Sequence, residues 1–174
     1  MNSGILFNHK SVVRRPEFVT RKVSRTVAWI ASGDRDHIEL GNLSARKDWG
    51  YAKDCVEGMW SMLQYKYGDE FIIGTEELHT VRNSVEEAFR VVDINVHWKG
   101  SWVNEVGPSD SDEVLVKVNR KFFRPLESDN YMADYTKGKE RTWLEPKTVF
   151  TQLVTIMVKY DAYLIEKRGT NPPA

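Results

Sequence analysis

Short apolar runs alternate along this chain with amphipathic helical stripes, and that alternation narrows the possible folds more than any single motif does. Ile5-Leu6-Phe7 and Phe71-Ile72-Ile73 are apolar runs bounded by polar residues or glycine, the pattern of buried strands. Between and beyond them, apolar residues recur at helical spacing. Val23, Val27 and Ile30 predict a helix over 20–32, with Gly33 as its stop. Cys55, Val56, Met59, Trp60 and Leu63 form a core-facing stripe on a helix that Asp48-Trp49 leads into. Val81, Val85, Ala88, Phe89 and Val92 follow Thr80, which reads as an N-cap. A last stripe over 147–167 carries Phe150, Leu153, Val154, Met157 and Leu164, and only Asp161 breaks it. Ile38-Glu39-Leu40, residues 94–98 and residues 114–118 add strand candidates, with 108–112 as a loop. Strands and helices in alternation predict an α/β layered fold. One incomplete domain over 1–168 is expected, with 169–174 as a flexible tail.

Composition removes several function classes. The 25 Lys and Arg residues balance 25 Asp and Glu, so the chain lacks the basic excess of a nucleic-acid binder. The average hides a local imbalance: residues 10–25 hold Lys10, Arg14, Arg15, Arg21, Lys22 and Arg25 against Glu17 alone. Such a cluster is either a solvated helix face or an anion site. The single Cys55 cannot form an intramolecular disulfide, and His9, His37, His79 and His97 fall on different predicted elements, so no metal centre is expected. No window approaches the ~20 apolar residues of a membrane span, and the N-terminus lacks a signal-peptide pattern. A cytoplasmic protein with no membrane partner is the expectation, and the glycosylation pattern Asn42-Leu43-Ser44 is then accidental.

No glycine-rich phosphate loop, nucleophile elbow or His-Glu-x-x-His pair occurs. Tyr135 and Lys139 have the four-residue spacing of an oxidoreductase pair, but they lie in a glycine-containing segment, and the spacing reads as coincidence. His9 follows the first strand and lies five residues before Arg14, so both could reach a phosphate near that strand's end. Lys22, Lys47 and Arg124 are cations near predicted element ends, where a diphosphate could gather them.

These pieces coincide with a known pattern. Gly4-Ile-Leu-Phe-Asn-His9, Phe18-Val-Thr-Arg-Lys22, Leu40-Gly-Asn-Leu43, Asp48-Trp-Gly50, Ala52-Lys-Asp54, Val56-Glu57, Met59-Trp60, Phe123-Arg-Pro125 and Thr136-Lys137 occur in order over nearly the whole chain. In them the chain resembles the C-terminal half of the GDP-mannose 4,6-dehydratase family, which are extended short-chain dehydrogenase/reductases. The resemblance implies late Rossmann strands plus a substrate-binding lobe, with the N-terminal cofactor half missing. In that family NADP takes a hydride from the sugar's C4, water is lost across C5 and C6, and the hydride returns to C6. The groups for that chemistry lie in the family's other half, so no catalytic residue is expected here.

By matched position, His9 and Arg14 are implied NADP contacts. Asn8, Lys22, Lys47 and Arg124 are implied to line the nucleotide-sugar site, and Leu40, Gly41 and Asn42 to lie near its guanine. Lys47 replaces the family's arginine, which implies a weaker grip on the diphosphate because a lysine lacks the bidentate fork. The family's His-Glu-Ser-Pro-Arg-Arg-Gly is here His9-Lys-Ser-Val-Val-Arg-Arg15, and Tyr51, Cys55, Glu76 and Leu144 stand for the family's His, Tyr, Gly and Trp. Two functional readings follow. One is the GDP-mannose-binding half of an NADP-dependent dehydratase of GDP-fucose synthesis, inactive alone. The other is a non-catalytic, truncated paralogue that binds a nucleotide sugar, forms a homo-oligomer or pairs with an intact subunit. Removal of half an α/β fold should also leave an exposed apolar patch.

Overall fold

The computed structural model describes residues 1–123, 131–142 and 145–168. They fall into two compact units, neither contiguous in sequence: one from 1–11, 46–79 and the described part of 131–153, the other from 12–45, 80–123 and 154–168.

In the first unit β1 (Ser3–Leu6) runs parallel to β5 (Glu70–Ile73), with Ser3 opposite Glu70 and Leu6 opposite Ile73. Parallel neighbours need a crossover, and α2 (Ala52–Gln64) lies within it. Asp54 sits in the first turn of α2, where a carboxylate suits the helix dipole, and accepts the backbone N–H of Lys147 at 3.1 Å and of Thr148 at 2.8 Å. Cys55 and Met62 seat the helix in a core with Phe71 and Ile73, flanked by Leu6, Tyr65 and Tyr135. The expected stripe is only partly the buried one. Val56, Trp60 and Leu63 are 61%, 64% and 71% exposed, and Met59 is exposed as well. The helix packs through Cys55, Gly58 and Met62, about a third of a turn round from the stripe, and leaves the other apolar face open. β1 differs from expectation for a related reason. Among the described residues it has one strand neighbour, β5, and Ile5 is exposed rather than buried.

A second sheet in this unit has the order β2 (Asn8–Lys10), β4 (Arg46–Tyr51), β6 (Leu78–Thr80). Asp48 and Trp49, expected to lead into a helix, are therefore strand residues. Asp48 is wholly buried, and its carboxylate accepts hydrogen bonds from the Thr75 hydroxyl at 2.7 Å and from the backbone N–H groups of Thr75, Glu76 and Ala133 at 3.0–3.2 Å. Trp49 stacks on Phe150, which stacks in turn on His79 with ring centroids 3.8 Å apart. A helix α4 (Thr136–Thr142) follows Tyr135, where no helix was expected. Lys139 pairs with Glu145, and burial pushes the Tyr135 phenol up, opposite to the direction a proton-transfer role needs.

The second unit layers α1 (Val19–Ala31) and α3 (Val81–Arg90) with a sheet of order β3 (Ile38–Leu40), β8 (Val114–Val118), β7 (Val106–Pro108). Val23, Val27, Ile38, Val85, Phe89, Val116 and Val158 are fully buried. Thr80 caps α3 as expected, its hydroxyl accepting the Asn83 N–H while the Asn83 side chain accepts the Thr80 N–H. Residues 94–98 do not form the expected strand. They make only single backbone bonds, such as His97 N–H to the Pro108 carbonyl at 2.8 Å, while β7 takes the ladder position beside β8 in a segment expected to open a loop. The alternating Val96 and Trp98 instead cover Gly107, where a Cβ would come within 2.7 Å of Val96.

α5 (Phe150–Arg168) fits the last predicted stripe, and its interruption has a structural cause. Asp161 is buried and takes the Arg21 guanidinium and the Ser24 hydroxyl, the latter at 2.7 Å. Burial raises its carboxyl above the usual range, while the Ser24 bond and the Arg21 charge pull it back. Among the described residues no helix is long and apolar enough to cross a membrane.

Two outcomes follow. Arg21→Ala leaves the Asp161 carboxylate buried without its cation and should cost about 3–5 kcal/mol in urea unfolding, whereas Arg15→Ala should be near neutral. Burial pushes the Cys55 thiol from 9.0 up to about 11, so the folded state favours the neutral thiol. That stabilisation is complete below the unfolded value and is lost as pH rises through the folded one, so stability should decline between about pH 9 and 11, and less steeply in Cys55→Ala.

Candidate functional site

The C-terminal end of β3 is where the second unit gathers residues the sequence marks for binding. Leu40 closes the strand, its carbonyl accepting the Asn119 N–H at 2.8 Å just past β8. The chain from Asn119 then turns across Gly41. A Cβ on Gly41 would lie 2.1 Å from the Phe122 carbonyl oxygen, so only glycine permits the crossing. Asn42 follows and holds the loop with its side-chain oxygen, which accepts the Ser44 N–H at 2.9 Å. Past that turn, the carbonyls of Leu43 and Ala45 accept the first amides of α3, from Arg82 at 2.9 Å and Val81 at 3.0 Å. Orphan donors at the helix start thus pin the loop.

Beside this loop opens a cleft of about 370 Å³, lined by Asn42, Leu43, Ser44, Arg82, Trp102, Glu105 and Phe123, with Gly100 and Ser101 at its wall. Its volume lies in the roughly 300–1,000 Å³ range of small-molecule sites. Arg82 pairs with Glu105, which is buried, and its guanidinium lies 4.5 Å from the centre of the Trp98 ring. Trp98 is itself held by a bond from its indole N–H to Glu86 at 2.7 Å. The cleft therefore combines a positioned cation, a buried carboxylate, an amide side chain and two aromatic rings.

Lys22 belongs to the same region. Its ammonium lies 3.9 Å from the centre of the Phe122 ring, and Phe122 is the residue whose backbone crosses Gly41. Burial lowers the Lys22 pKa, opposed by Glu39 and reinforced by Arg35. A partly desolvated ammonium is strengthened as a partner for an anion. Arg14, also in this unit, lies over the Phe18 ring at 3.7 Å. The basic run at 10–25 is not a uniform patch: Arg21 is spent on Asp161, and Arg25 packs on Trp29.

The first unit holds the remaining marked residues. Asn8 and His9 lie on β2 opposite Trp49 and Gly50 of the parallel strand β4, which also carries Lys47. The His9 Nδ1 lies 3.1 Å from the Phe7 carbonyl. Arg124 lies outside the described residues. No group of three or more His, Cys, Asp or Glu residues that could hold a metal is found among the described residues.

Arg82, Trp102, Glu105 and Phe123 are the cleft residues that sequence reading does not single out as binding groups. Phe123 stood in a matched string, but as a neighbour of Arg124. Arg82 and Glu105 are 23 positions apart on elements whose pairing no local pattern reveals. The local signal for Trp102 was a large aromatic between Gly100 and Pro108 with no apolar stripe to join.

The Gly41 crossing predicts a sharp substitution effect. Gly41→Ala must push the Phe122 backbone away, so it should destabilise the chain by about 1–3 kcal/mol in urea unfolding and weaken any ligand of the cleft. Gly33→Ala, uncrowded but at a φ of +80°, should cost about 1–2 kcal/mol through its left-handed backbone and leave ligand affinity in the cleft unchanged, which separates backbone strain from the crossing.

Comparison with known proteins places the chain. A family model described as GDP-mannose 4,6 dehydratase matches residues 1–157. The GDP-mannose 4,6 dehydratase of Homo sapiens is 44% identical over 173 residues, covering 99% of this chain and 46% of that protein. The one from Drosophila melanogaster is 43% identical, over 95% of this chain and 42% of its own length. The chain thus spans less than half the length of these relatives. Among solved structures, RMD from Pseudomonas aeruginosa complexed with NADPH matches 93% of this chain and 48% of its own, with a TM-score of 0.72 at 12% identity. The dTDP-glucose 4,6-dehydratase of Bacillus anthracis in complex with NAD matches 96% and 46%, with a TM-score of 0.69 at 16% identity. These structures share the fold, about half of an extended short-chain dehydrogenase, and the sequence matches carry the narrower conclusion. With its family model matched over nine-tenths of its length, this chain belongs to the GDP-mannose 4,6 dehydratase family.

Proposed function

We propose that the chain is the nucleotide-sugar-binding half of a GDP-mannose 4,6-dehydratase-type protein, and that its cleft beside Gly41 receives the nucleotide end of GDP-mannose or a related sugar nucleotide. The observation that carries this reading is the convergence of Asn42, which directly follows the Leu40–Gly41 strand end, with Arg82 and Glu105 on one cleft of suitable volume. Lys22, next to it through Phe122, supplies the cation for the diphosphate. By their matched positions, Asn8 and Lys47 of the first unit, and Arg124, are likewise proposed as substrate contacts. Family membership and relatives named for this substrate support the assignment.

The residues present do not make a dinucleotide site. The sequence has no glycine-rich turn, the His9 Nδ1 lies against the Phe7 carbonyl, and Arg14 lies on Phe18. His9 and Arg14 are therefore proposed as outer contacts to NADP only, and the chain's own contribution is to bind and orient the substrate. Oxidation at C4 and loss of water belong to groups it does not carry.

Calorimetry tests this directly. GDP should bind, and Lys22→Ala should weaken it about tenfold, the ~1.4 kcal/mol of one charge-assisted bond. Unchanged affinity would remove Lys22 from the site, and no binding by the unaltered chain would overturn the reading. Incubation with GDP-mannose and NADP should give no 4-keto product.

One observation favours a subunit-interaction role beside binding. The exposed α2 face of Val56, Met59, Trp60 and Leu63 is a contiguous apolar stripe of the kind that marks protein interfaces. Trp60→Glu with Leu63→Glu should lower the sedimentation-derived mass if the chain self-associates through that face, and an unchanged associated mass would exclude it.

A further inference from the structure

The first unit holds a smaller cavity that takes no part in the cleft beside Gly41. It lies between one side of α2, the end of β5 and the segment 145–147, with a volume of about 70 Å³. At roughly 10–15 Å³ for each water-sized group, that is room for about five to seven heavy atoms. A nucleotide is far too large for it, whereas one six-membered ring with a small substituent fits.

The sequence explains why there is room. Cys55 forms part of the wall, and it stands where the GDP-mannose 4,6-dehydratase family carries tyrosine. Beyond Cβ a tyrosine carries a phenol and a cysteine a single sulfur atom. The neighbours do not fill the difference. Cys55 packs with Met62, Phe71 and Ile73, while Gly58, the next residue of α2 on this side, brings no side chain to the space. Burial keeps the Cys55 thiol neutral, so with Ile73 and Pro146 it makes an apolar wall.

The polar part of the wall is weighted toward acceptors. Ser61 gives its O–H to the Glu57 carbonyl at 3.1 Å, and Thr75 gives its own to Asp48 at 2.7 Å, so both hydroxyl oxygens have only acceptor capacity left. Lys147, the lining cation, is taken by Glu57, and Glu145 is taken by Lys139. Each carboxylate keeps lone pairs beyond these bonds. A ring that brings an O–H donor matches such a wall, and a ring that brings only an acceptor sets oxygen against oxygen.

We propose that this cavity is a binding site for a small phenolic compound, a single ring with a free hydroxyl, which fills the space beside Cys55 and donates its O–H to the acceptors of the wall. The site is independent of the nucleotide reading of the cleft. A ligand of this size binds with a Kd on the order of 1 mM.

Cys55 is the only cysteine of the chain, so its alkylation by iodoacetamide, followed by mass spectrometry on the whole chain, reports on this cavity. Phenol at about ten times its Kd should slow the reaction about tenfold, because only the unoccupied site reacts. Anisole, with the same ring and no O–H, should slow it by less than about twofold at the same concentration. Cys55→Tyr places the ring there covalently: it should keep or raise the urea midpoint and abolish the saturation-transfer NMR signal of phenol, which Cys55→Ala should retain. An alkylation rate that phenol does not change overturns the proposal, whether or not Cys55→Tyr folds. Equal protection by anisole overturns the donor match on which it rests, and a phenol signal that persists in folded Cys55→Tyr overturns it by placing the ligand elsewhere.

Discussion

The crossing of the Phe122 backbone over Gly41 is the contact on which the cleft of the second unit depends. It exists because β3 and β8 run parallel and end together, which brings the segment after Val118 across the segment after Leu40. Glycine lets the two backbones come closer than any side chain would allow. From that crossing the rest follows by short steps: Phe122 meets Lys22, Phe123 faces the cleft, and the loop through Asn42 passes to the start of α3, which carries Arg82.

The two units use buried charge differently. In the first, Asp48 is satisfied by backbone amides and one hydroxyl, so it joins β4 to the 75–76 turn and Ala133. In the second, Asp161 and Glu105 are each met by an arginine, Arg21 and Arg82. The Arg82–Glu105 pair lines the cleft beside the Gly41 loop. A buried pair adds little net stability when its desolvation is counted, so a pair facing a cavity is more usefully read as a binding device.

Much of the layering was legible because it rests on local spacing. Val81, Val85, Ala88 and Phe89 behind the Thr80 cap, and the Phe71–Ile73 strand, are patterns set by neighbours a few positions away. Where two apolar faces share one helix, spacing cannot choose between them, and on α2 the face of Cys55 and Met62 packs while that of Trp60 and Leu63 stays open. Strand choice also failed where partners were distant: 94–98 alternates correctly, yet its Val96 and Trp98 are needed over Gly107. For the candidate site, resemblance marked Lys22 and Leu40–Asn42 as expected contacts, whereas Arg82, Glu105 and Trp102 come together only through tertiary pairing. Glu76 was legible in another sense. It stands where the family carries glycine, and its φ of +57° shows why glycine suits that place.

The account comes down to one location for one ligand, and a crystal structure of the chain grown with GDP tests it most directly. The account predicts guanosine density in the cleft bounded by Asn42, Arg82, Trp102 and Glu105, with a phosphate within hydrogen-bond distance of the Lys22 ammonium. GDP bound elsewhere, with that cleft empty, would contradict it.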